Sequence, residues 1–553
     1  MAGSAQISAD APLPAPWGHA SVGRAATPAR WLSRFGRLAT AHPELVTLAL
    51  CLLVMALGLR GPDLPAQDFR TWLFRHHGPL LFDDRWFSGH LVPGYSVLFP
   101  PLAALIGART IGLLSCVGST WALVAVARYG TRTRHNAGLL WFAVATVANF
   151  LIGRLPFALG LTLGLLAMAA VQRRRSWVAG TLAVLCSLAS PLPGAFLLLV
   201  GLAWAPALGW RRALPLTGAA TGLLVAVVLG GGGAFPFPWT SLVTILVFVA
   251  AGLVLAPRSH RTLRLGMAAY ALAAVVLFLV PNPVGGNLTR LGTLLAGPLA
   301  AVVLLSTGRR LALIVVAGPL VVWQLAPVTG AIADSSTPSS KPGYYAGLLG
   351  FLGAHDVPLG RVEIPLTRGH WETSYVASRL PLARGWERQL DVGYNEVLYD
   401  SQLTPAQYRG WLLDNAVRYV AIPDAALEQA SVREATLVRS DQPWLNPVWQ
   451  DAHWQVWQVR GAAPIATGPA SLIDLDVSSF TLDFRTPGTS VVRLHHIRFW
   501  QAADDAACIT RSPAGWTRVT ALVSGPVTVN AEFDLAAVKP GGSLACEAAG
   551  LSR

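Results

Sequence analysis

Between Arg85 and Ala333 the chain has no aspartate and no glutamate. Six carboxylates precede that interval, and four of them, Asp63, Asp68, Asp83 and Asp84, fall in one stretch after the first hydrophobic run, GPDLPAQDFRTWLFRHHGPLLFDDRWFSGHLVP. Any chemistry in the first 333 residues that needs a carboxylate as base, metal ligand or proton carrier must use this stretch or borrow from the C-terminal part. Lysine is nearly absent as well: Lys341 and Lys539 are the only two, so the positive charge is carried by arginine. There are 5 cysteines. Cys51, Cys116 and Cys186 stand singly in apolar runs, where a small hydrophobe is the plain reading. Cys508 and Cys546 are the only pair in the polar part; they are expected to form a disulfide if that part is extracytoplasmic, the other reading being two buried thiols.

What the chain has in excess is apolar length. At 553 residues, 53% hydrophobic and 13% charged, with a mean hydropathy of +0.49, it is too apolar for a soluble protein and too long for one domain. The net charge of +14 invites a nucleic-acid reading until it is divided. Residues 1–326 hold 24 Arg/Lys against 6 Asp/Glu, and residues 327–553 hold 18 against 22. The basicity belongs to the apolar half, where the positive-inside bias accounts for it, and no nucleic-acid partner is expected.

Residues 1–43 read as a basic, disordered leader with Arg24, Arg30, Arg34 and Arg37, and Leu45–Leu59 as an uncleaved first helix. Further apolar segments run over 95–127, 137–152, 155–171, 177–190, 194–209, 213–230, 240–256, 265–280, 293–307 and 311–326. Arginine clusters fall at every second junction (Arg128, Arg132 and Arg134; Arg173–Arg175; Arg211 and Arg212; Arg258, Arg261 and Arg264; Arg309 and Arg310), and the alternate junctions are almost uncharged. The expected fold is therefore mainly α, a polytopic plasma-membrane protein of about eleven spans over 44–326, with a cytoplasmic N-terminus and the acidic loop 61–96 outside. The segment 95–127 is long for one helix, and Pro100 and Pro101 near its start suggest a half-helix first. Outside as well would lie a small α/β domain (327–460), read from strands at Arg361–Pro365, Val417–Ile422 and His453–Val459 and a helix from Thr404 to Asn415. A β-sandwich (461–553) is read from SFTLDF, SVVRLHHIRFW, TRVTALV and VTVNAEFDL.

The candidate site residues follow from where charge is scarce. Asp68 in QDFRTW is a candidate base, or else an N-cap of a short interfacial helix. Asp83 and Asp84 are rival catalytic acids, and as adjacent hard-oxygen donors they could hold a divalent cation such as Mg or Mn, or only form a solvated turn. His76, His77 and His90 lie nearby without diagnostic spacing. Arg154 in IGRLPFALG and Arg290 in GGNLTRLG are isolated cations at outer span ends, suited to a phosphate or to lipid headgroups. Asn287 with Gly285 and Gly286 could bring backbone close to a ligand or form a tight turn. In GHWETSYV and LARGWERQLDVGYNE, Trp371, Glu372, Arg384 and Trp386 interleave rings with charge, as glycan contacts do and as packing does.

A first helix followed by an acid-bearing outer loop, many further spans with motif-bearing outer turns and a C-terminal extracytoplasmic part resemble the GT-C superfamily of membrane glycosyltransferases that use polyprenyl-phosphate-linked sugars. The chain also looks like a group of actinobacterial membrane proteins with the same QDF-, GRLPFALG- and GGNLTRLG-type stretches. The resemblance covers about residues 44–460. It implies a polyprenyl-phosphate-linked sugar donor, a cell-envelope glycan or glycolipid acceptor, and Asp68 in the place of the first-loop acid, with Asp83 or Asp84 as its rival. The clear acid pair of many members, Asp-x-Asp or Asp-Glu, is approached here only by Asp83-Asp84. The chemistry suits the residue supply: a polyprenyl phosphate leaves without a proton, so one base and a pair of cations suffice. A glycoside hydrolase needs two separated carboxylates. The alternatives are a transporter or flippase for an envelope precursor, which normally needs an ionisable group at mid-membrane, and a non-catalytic envelope assembly protein. The orientation is checked by whole-cell labelling with a membrane-impermeant thiol reagent. A cysteine introduced near residue 340 should react and one near Gly130 should not; the reverse pattern would overturn it.

Overall fold

The computed structural model describes residues 36–80, 82–90, 96–129, 136–229, 233–335, 337–355, 360–503, 507–531 and 546; most of the basic leader lies outside them. Among the described residues six helices are long and apolar enough to cross a membrane: Ala108–Ala127, Leu155–Gln172, Pro191–Leu208, Arg261–Leu279, Gly285–Ser306 and Arg310–Ser335. Four shorter apolar helices accompany them, Pro43–Ala56, Asn136–Ile152, Ser176–Ala189 and Trp239–Leu255. Proline in the first turn starts several, Pro43, Pro65, Pro156 and Pro191 among them, because that position has no intrahelical acceptor to lose. The long segment after residue 95 divides as its prolines suggest. Phe99–Ile106 ends at Gly107, whose φ of +94 turns the chain before Ala108–Ala127 begins.

The loop after the first helix is not an interfacial ribbon. Its first part is the helix Leu64–His77, largely buried, and its second part threads inward. Phe82 joins the apolar core of the C-terminal strands, its ring 4.6 Å from Trp500. The Asp84 N–H donates to Val477 O (2.9 Å), Leu382 N–H donates to Arg85 O (2.9 Å), and Trp86 Nε1–H donates to Thr373 O (2.9 Å). The loop is thus a strap between the helical half and the C-terminal half.

Among its described residues the C-terminal half holds three four-stranded sheets. The first contains β1 (Arg361–Glu363), β2 (Val417–Pro423), β3 (Leu445–Gln450) and β4 (Trp454–Val459) in the order β1-β2-β4-β3, with β1 parallel to β2 and the rest antiparallel. The helix Pro405–Asp414 opens with a capping box, Thr404 against Gln407, that satisfies two first-turn donors. The other two sheets are antiparallel. One orders β10 (Ala507–Arg511), β11 (Trp516–Ala521), β8 (Gly488–His495) and β5 (Ala466–Thr467). Its companion orders β6 (Ala470–Leu475), β7 (Ser479–Phe484), β12 (Gly525–Ala531) and β9 (Trp500–Ala502). Alternate residues of β7, β8 and β11 are buried, and Phe480, Leu482, Val492, Leu494 and Val519 from both sheets share one core. A disulfide joins Cys508 to Cys546, Cα atoms 4.6 Å apart, and Cys51, Cys116 and Cys186 are buried free thiols.

One contact sets where the strap begins. Gly61 N–H donates to Leu151 O (3.1 Å) and Asp63 N–H to Ile152 O (2.9 Å), so the GPDLP turn lies directly on the IGRLP turn. Side chains would keep these backbones apart: a Cβ on Gly61 would meet Leu151 O at 2.3 Å, and one on Gly153 would meet Leu64 N at 2.4 Å. Gly153 also has φ +94, left-handed backbone that costs a non-glycine residue about 1–3 kcal/mol by itself. Gly153→Ala should therefore lower the apparent Tm of the protein in nanodiscs more than Gly58→Ala, where φ is +67 but nothing lies within 4 Å. Equal losses in the two variants would mean that the close approach does not hold the turns together.

Candidate functional site

The turn contact brings the first residues of three helices together. Asp63 is the N-cap of Leu64–His77, Arg154 the N-cap of Leu155–Gln172, and Arg290 the second residue of Thr289–Ser306. Both arginines face the same carboxylate: Arg154 Nε is 3.4 Å and Arg290 Nη2 4.0 Å from Asp63 Oδ2. Each side chain is about one fifth exposed. Arg290 also lies over the Phe157 ring at 5.6 Å. Two guanidinium charges against one carboxylate leave a net positive centre, and the helix N-termini add partial positive charge of their own. Asp63 is the residue that sequence reasoning passed over. It was one of four acids in the loop, and the signal that could have picked it out is its position between two prolines, immediately after the first helix.

Asp68 is the fifth residue of the same helix, not its cap. At 1.5 Å per residue it stands about 7.5 Å farther along the axis than Asp63 and faces a different pair of cations, Arg60 and Arg109. Burial pushes its pKa up to about 6 against the pull of those two arginines. The niche has walls from both halves of the chain. Arg60 donates to Tyr375 Oη (2.8 Å) and Ser340 O (3.4 Å) and lies over the Trp371 ring at 5.1 Å. Arg109 donates to Leu59 O (3.1 Å) and lies over Phe150 at 5.3 Å.

Asp83 and Asp84 are neither a solvated turn nor part of either cluster. Both are buried in the strap. Asp83 accepts from Arg85 N–H (3.2 Å), and Asp84 has Arg85 Nε at 3.5 Å, with no hydrogen bond to its oxygens among the described residues. Burial raises both pKa values, that of Asp84 to about 7, against the charges of Arg70 and Arg85 at Asp83 and of Arg85 and Arg361 at Asp84. Carboxylates with cations already beside them, and no third ligand, are a poor fit for a divalent ion. Among the described residues no group of three His, Cys, Asp or Glu side chains could hold one. His90 is stacked between Tyr394 and His495.

The aromatic and charged residues of the C-terminal half are placed as packing. Trp371 and Glu372 are fully buried and Arg384 is 2% exposed. Glu372 accepts from Thr367 N–H (3.0 Å) and Oγ1–H (2.6 Å), and Arg384 binds Asp391 (2.5 Å), Glu434 and Ser431 (2.9 Å). Glu372 and Arg384 spend their polar groups inside the chain, and Trp371, fully buried, leaves no ring face for a sugar. Trp386 is half-buried and donates Nε1–H to Pro62 O (2.9 Å), holding the turn next to Asp63. Asn287 sits in the tight turn Gly285–Leu288. There the close backbone approach is to residues 235–236 of the chain itself, Gly286 N–H donating to Pro236 O (3.0 Å), rather than to a ligand.

Among the apolar helices lies a cavity of about 340 Å³. Leu291 and Gly292, the residues that follow Arg290, form part of its wall with Phe196, Phe248, Met267 and Trp323. The helix that begins with Arg290 thus continues into the wall of an apolar space.

No protein-family model and no curated protein matches the chain, so the reading of the site rests on its geometry and chemistry.

The strap makes a pH-dependent prediction. Because the pKa of Asp84 is higher folded than unfolded, the folded state holds its proton more tightly, and stability falls as pH rises from about 4 to about 7. Asp84→Asn removes that loss. The apparent Tm of the variant should match wild type near pH 4.5 and exceed it at pH 8, by an amount on the order of 3 kcal/mol in stability. A lower Tm at pH 8 would show that the ionised carboxylate stabilises the strap.

Proposed function

We propose that this chain is a membrane glycosyltransferase of the GT-C kind, moving a sugar from a polyprenyl-phosphate donor to a hydroxyl of an envelope glycan or glycolipid. The reaction takes place on the extracytoplasmic face, with eleven spans, a cytoplasmic N-terminus and the C-terminal sheets outside. The observation that carries this reading is the convergence of Arg154 and Arg290 on Asp63, at the start of a helix whose next residues, Leu291 and Gly292, line an apolar cavity. A polyprenyl phosphodiester has one negative charge and a hydrocarbon tail, which suits two arginines sharing one carboxylate at the head of a helix that walls an apolar space.

Arg154 and Arg290 grip the donor phosphate, and Asp63 orients the two guanidinium groups. Asp68 takes the proton of the acceptor hydroxyl as its oxygen bonds to the anomeric carbon. The bond from that carbon to the phosphate oxygen breaks, and polyprenyl phosphate leaves with an added negative charge that the arginines stabilise. The offset of about 7.5 Å between the two carboxylates leaves room for the sugar between phosphate and base. A pKa near 6 keeps Asp68 ionised at neutral pH yet basic enough to act.

The test is transfer from extracted, radiolabelled lipid-linked sugars by purified protein. Asp68→Asn should keep donor binding and lose about 10²-fold or more of turnover, and wild-type turnover should rise with pH through about 6 as Asp68 ionises. Arg290→Ala should weaken donor binding by about 1.5–3 kcal/mol, the range for a charged hydrogen bond. Asp83→Asn should remain active. Loss in Asp63→Asn with full activity in Asp68→Asn would move the base to Asp63; full activity in both would end the glycosyltransferase reading.

A further inference from the structure

Arg60 and Arg109 form a second cationic pair that the reading above does not use for binding. Neither makes an ion pair within 4 Å among the described residues. Arg109 is bonded to the carbonyl of Leu59, the residue before Arg60, so two like charges stand side by side. Both are half-buried and held from behind. Arg60 rests on Trp371 and Tyr375, and Arg109 on Phe150. Asp68 is the carboxylate whose charge they feel, without an ion pair to either within 4 Å, and the bonds to Tyr375, Ser340 and Leu59 engage one nitrogen of each guanidinium, so donors remain for a bidentate anion. Arg109 is also the second residue of the span Ala108–Ala127, so the pair lies at a span end, the level of lipid headgroups.

We infer that Arg60 and Arg109 form a second phosphate subsite, distinct from Arg154 and Arg290, and that its ligand is the phosphate of an anionic lipid acceptor whose neighbouring hydroxyl reaches Asp68. Naming the ligand as acceptor rests on the proposed function; the subsite itself does not. The two carboxylates that mark the subsites are offset by about 7.5 Å along one helix. Two phosphates joined through a single oxygen are closer than that, which favours separate ligands over one pyrophosphate.

The experiment measures binding to full-length protein in phosphatidylcholine nanodiscs with three probes: dihexanoylphosphatidic acid, farnesyl phosphate and farnesyl pyrophosphate. Arg109→Gln and Arg60→Gln should each weaken phosphatidic acid about tenfold or more and leave farnesyl phosphate unchanged. Arg290→Gln should do the opposite, and the two probes should bind together. Arg109→Lys, which keeps the charge, should restore part of the affinity if Arg109→Gln perturbs folding. Unchanged phosphatidic acid binding in both Gln variants, or its one-for-one displacement by farnesyl phosphate, would overturn the second subsite. If Arg109→Gln weakens only farnesyl pyrophosphate, the pair serves the donor, and the acceptor assignment is overturned. Arg109-dependent phosphatidic acid binding without any farnesyl phosphate binding would sink the donor reading and leave the subsite standing.

Discussion

The arrangement of charge around the loop after the first helix depends on two backbones lying closer than side chains allow. The GPDLP turn rests on the IGRLP turn through hydrogen bonds from Gly61 and Asp63, and glycine at positions 61 and 153 is what permits it. That contact carries Asp63 to Arg154 and starts the helix Leu64–His77 in a set direction. Asp68, Arg70 and the strap beyond take their places from that start. In a half with so few acids, the position of one carboxylate decides which arginines have an opposite charge beside them.

The C-terminal half is tied to this region by polar contacts rather than resting on it as an appendage. Trp386 holds Pro62, Tyr375 holds Arg60, and Glu387 pairs with Arg70 at 2.6 Å with both partners buried. The same half keeps a denser polar core around Arg384, where Asp391 and Glu434 bind one guanidinium. Glu363 lies close by, fully buried, with neither oxygen hydrogen-bonded among the described residues. Burial first, and Glu434 next, hold the pKa of Glu363 well above the usual carboxylate range, so it keeps its proton and adds no further negative charge to the group. Breaking such a buried pair is costly because it strands a charge, which ties Arg384, Asp391 and Glu434 to folding rather than to recognition.

Much of the architecture was legible in the residue order because its causes are local. Apolar length marked the helices, Thr404 followed by Pro405 marked the start of Pro405–Asp414, and period-2 alternation marked β7, β8, β11 and β12. Two readings failed for the same reason. Asp68 looked like a cap because Asp caps helices, but the helix starts at Leu64, where Pro65 and the close turn contact place it. Asp83-Asp84 looked like a ligand pair or a solvated turn because adjacent acids usually face water, yet the strap buries them.

By itself the sequence determined that this is a membrane chain with β-rich structure after its spans, that four of the six carboxylates in its first 333 residues lie in one loop, and that Arg154 and Arg290 are isolated cations at span ends. Those properties follow from composition and short-range periodicity, which act within a helix or a strand. Only the tertiary structure decided the pairing: that Arg154 and Arg290 share Asp63, that Asp68 faces Arg60 and Arg109, and that Trp371, Glu372 and Arg384 are packed away. The partner of a charged side chain comes from a distant part of the chain and is chosen by which backbones can approach. That choice is settled by packing, which no local stretch of residues encodes.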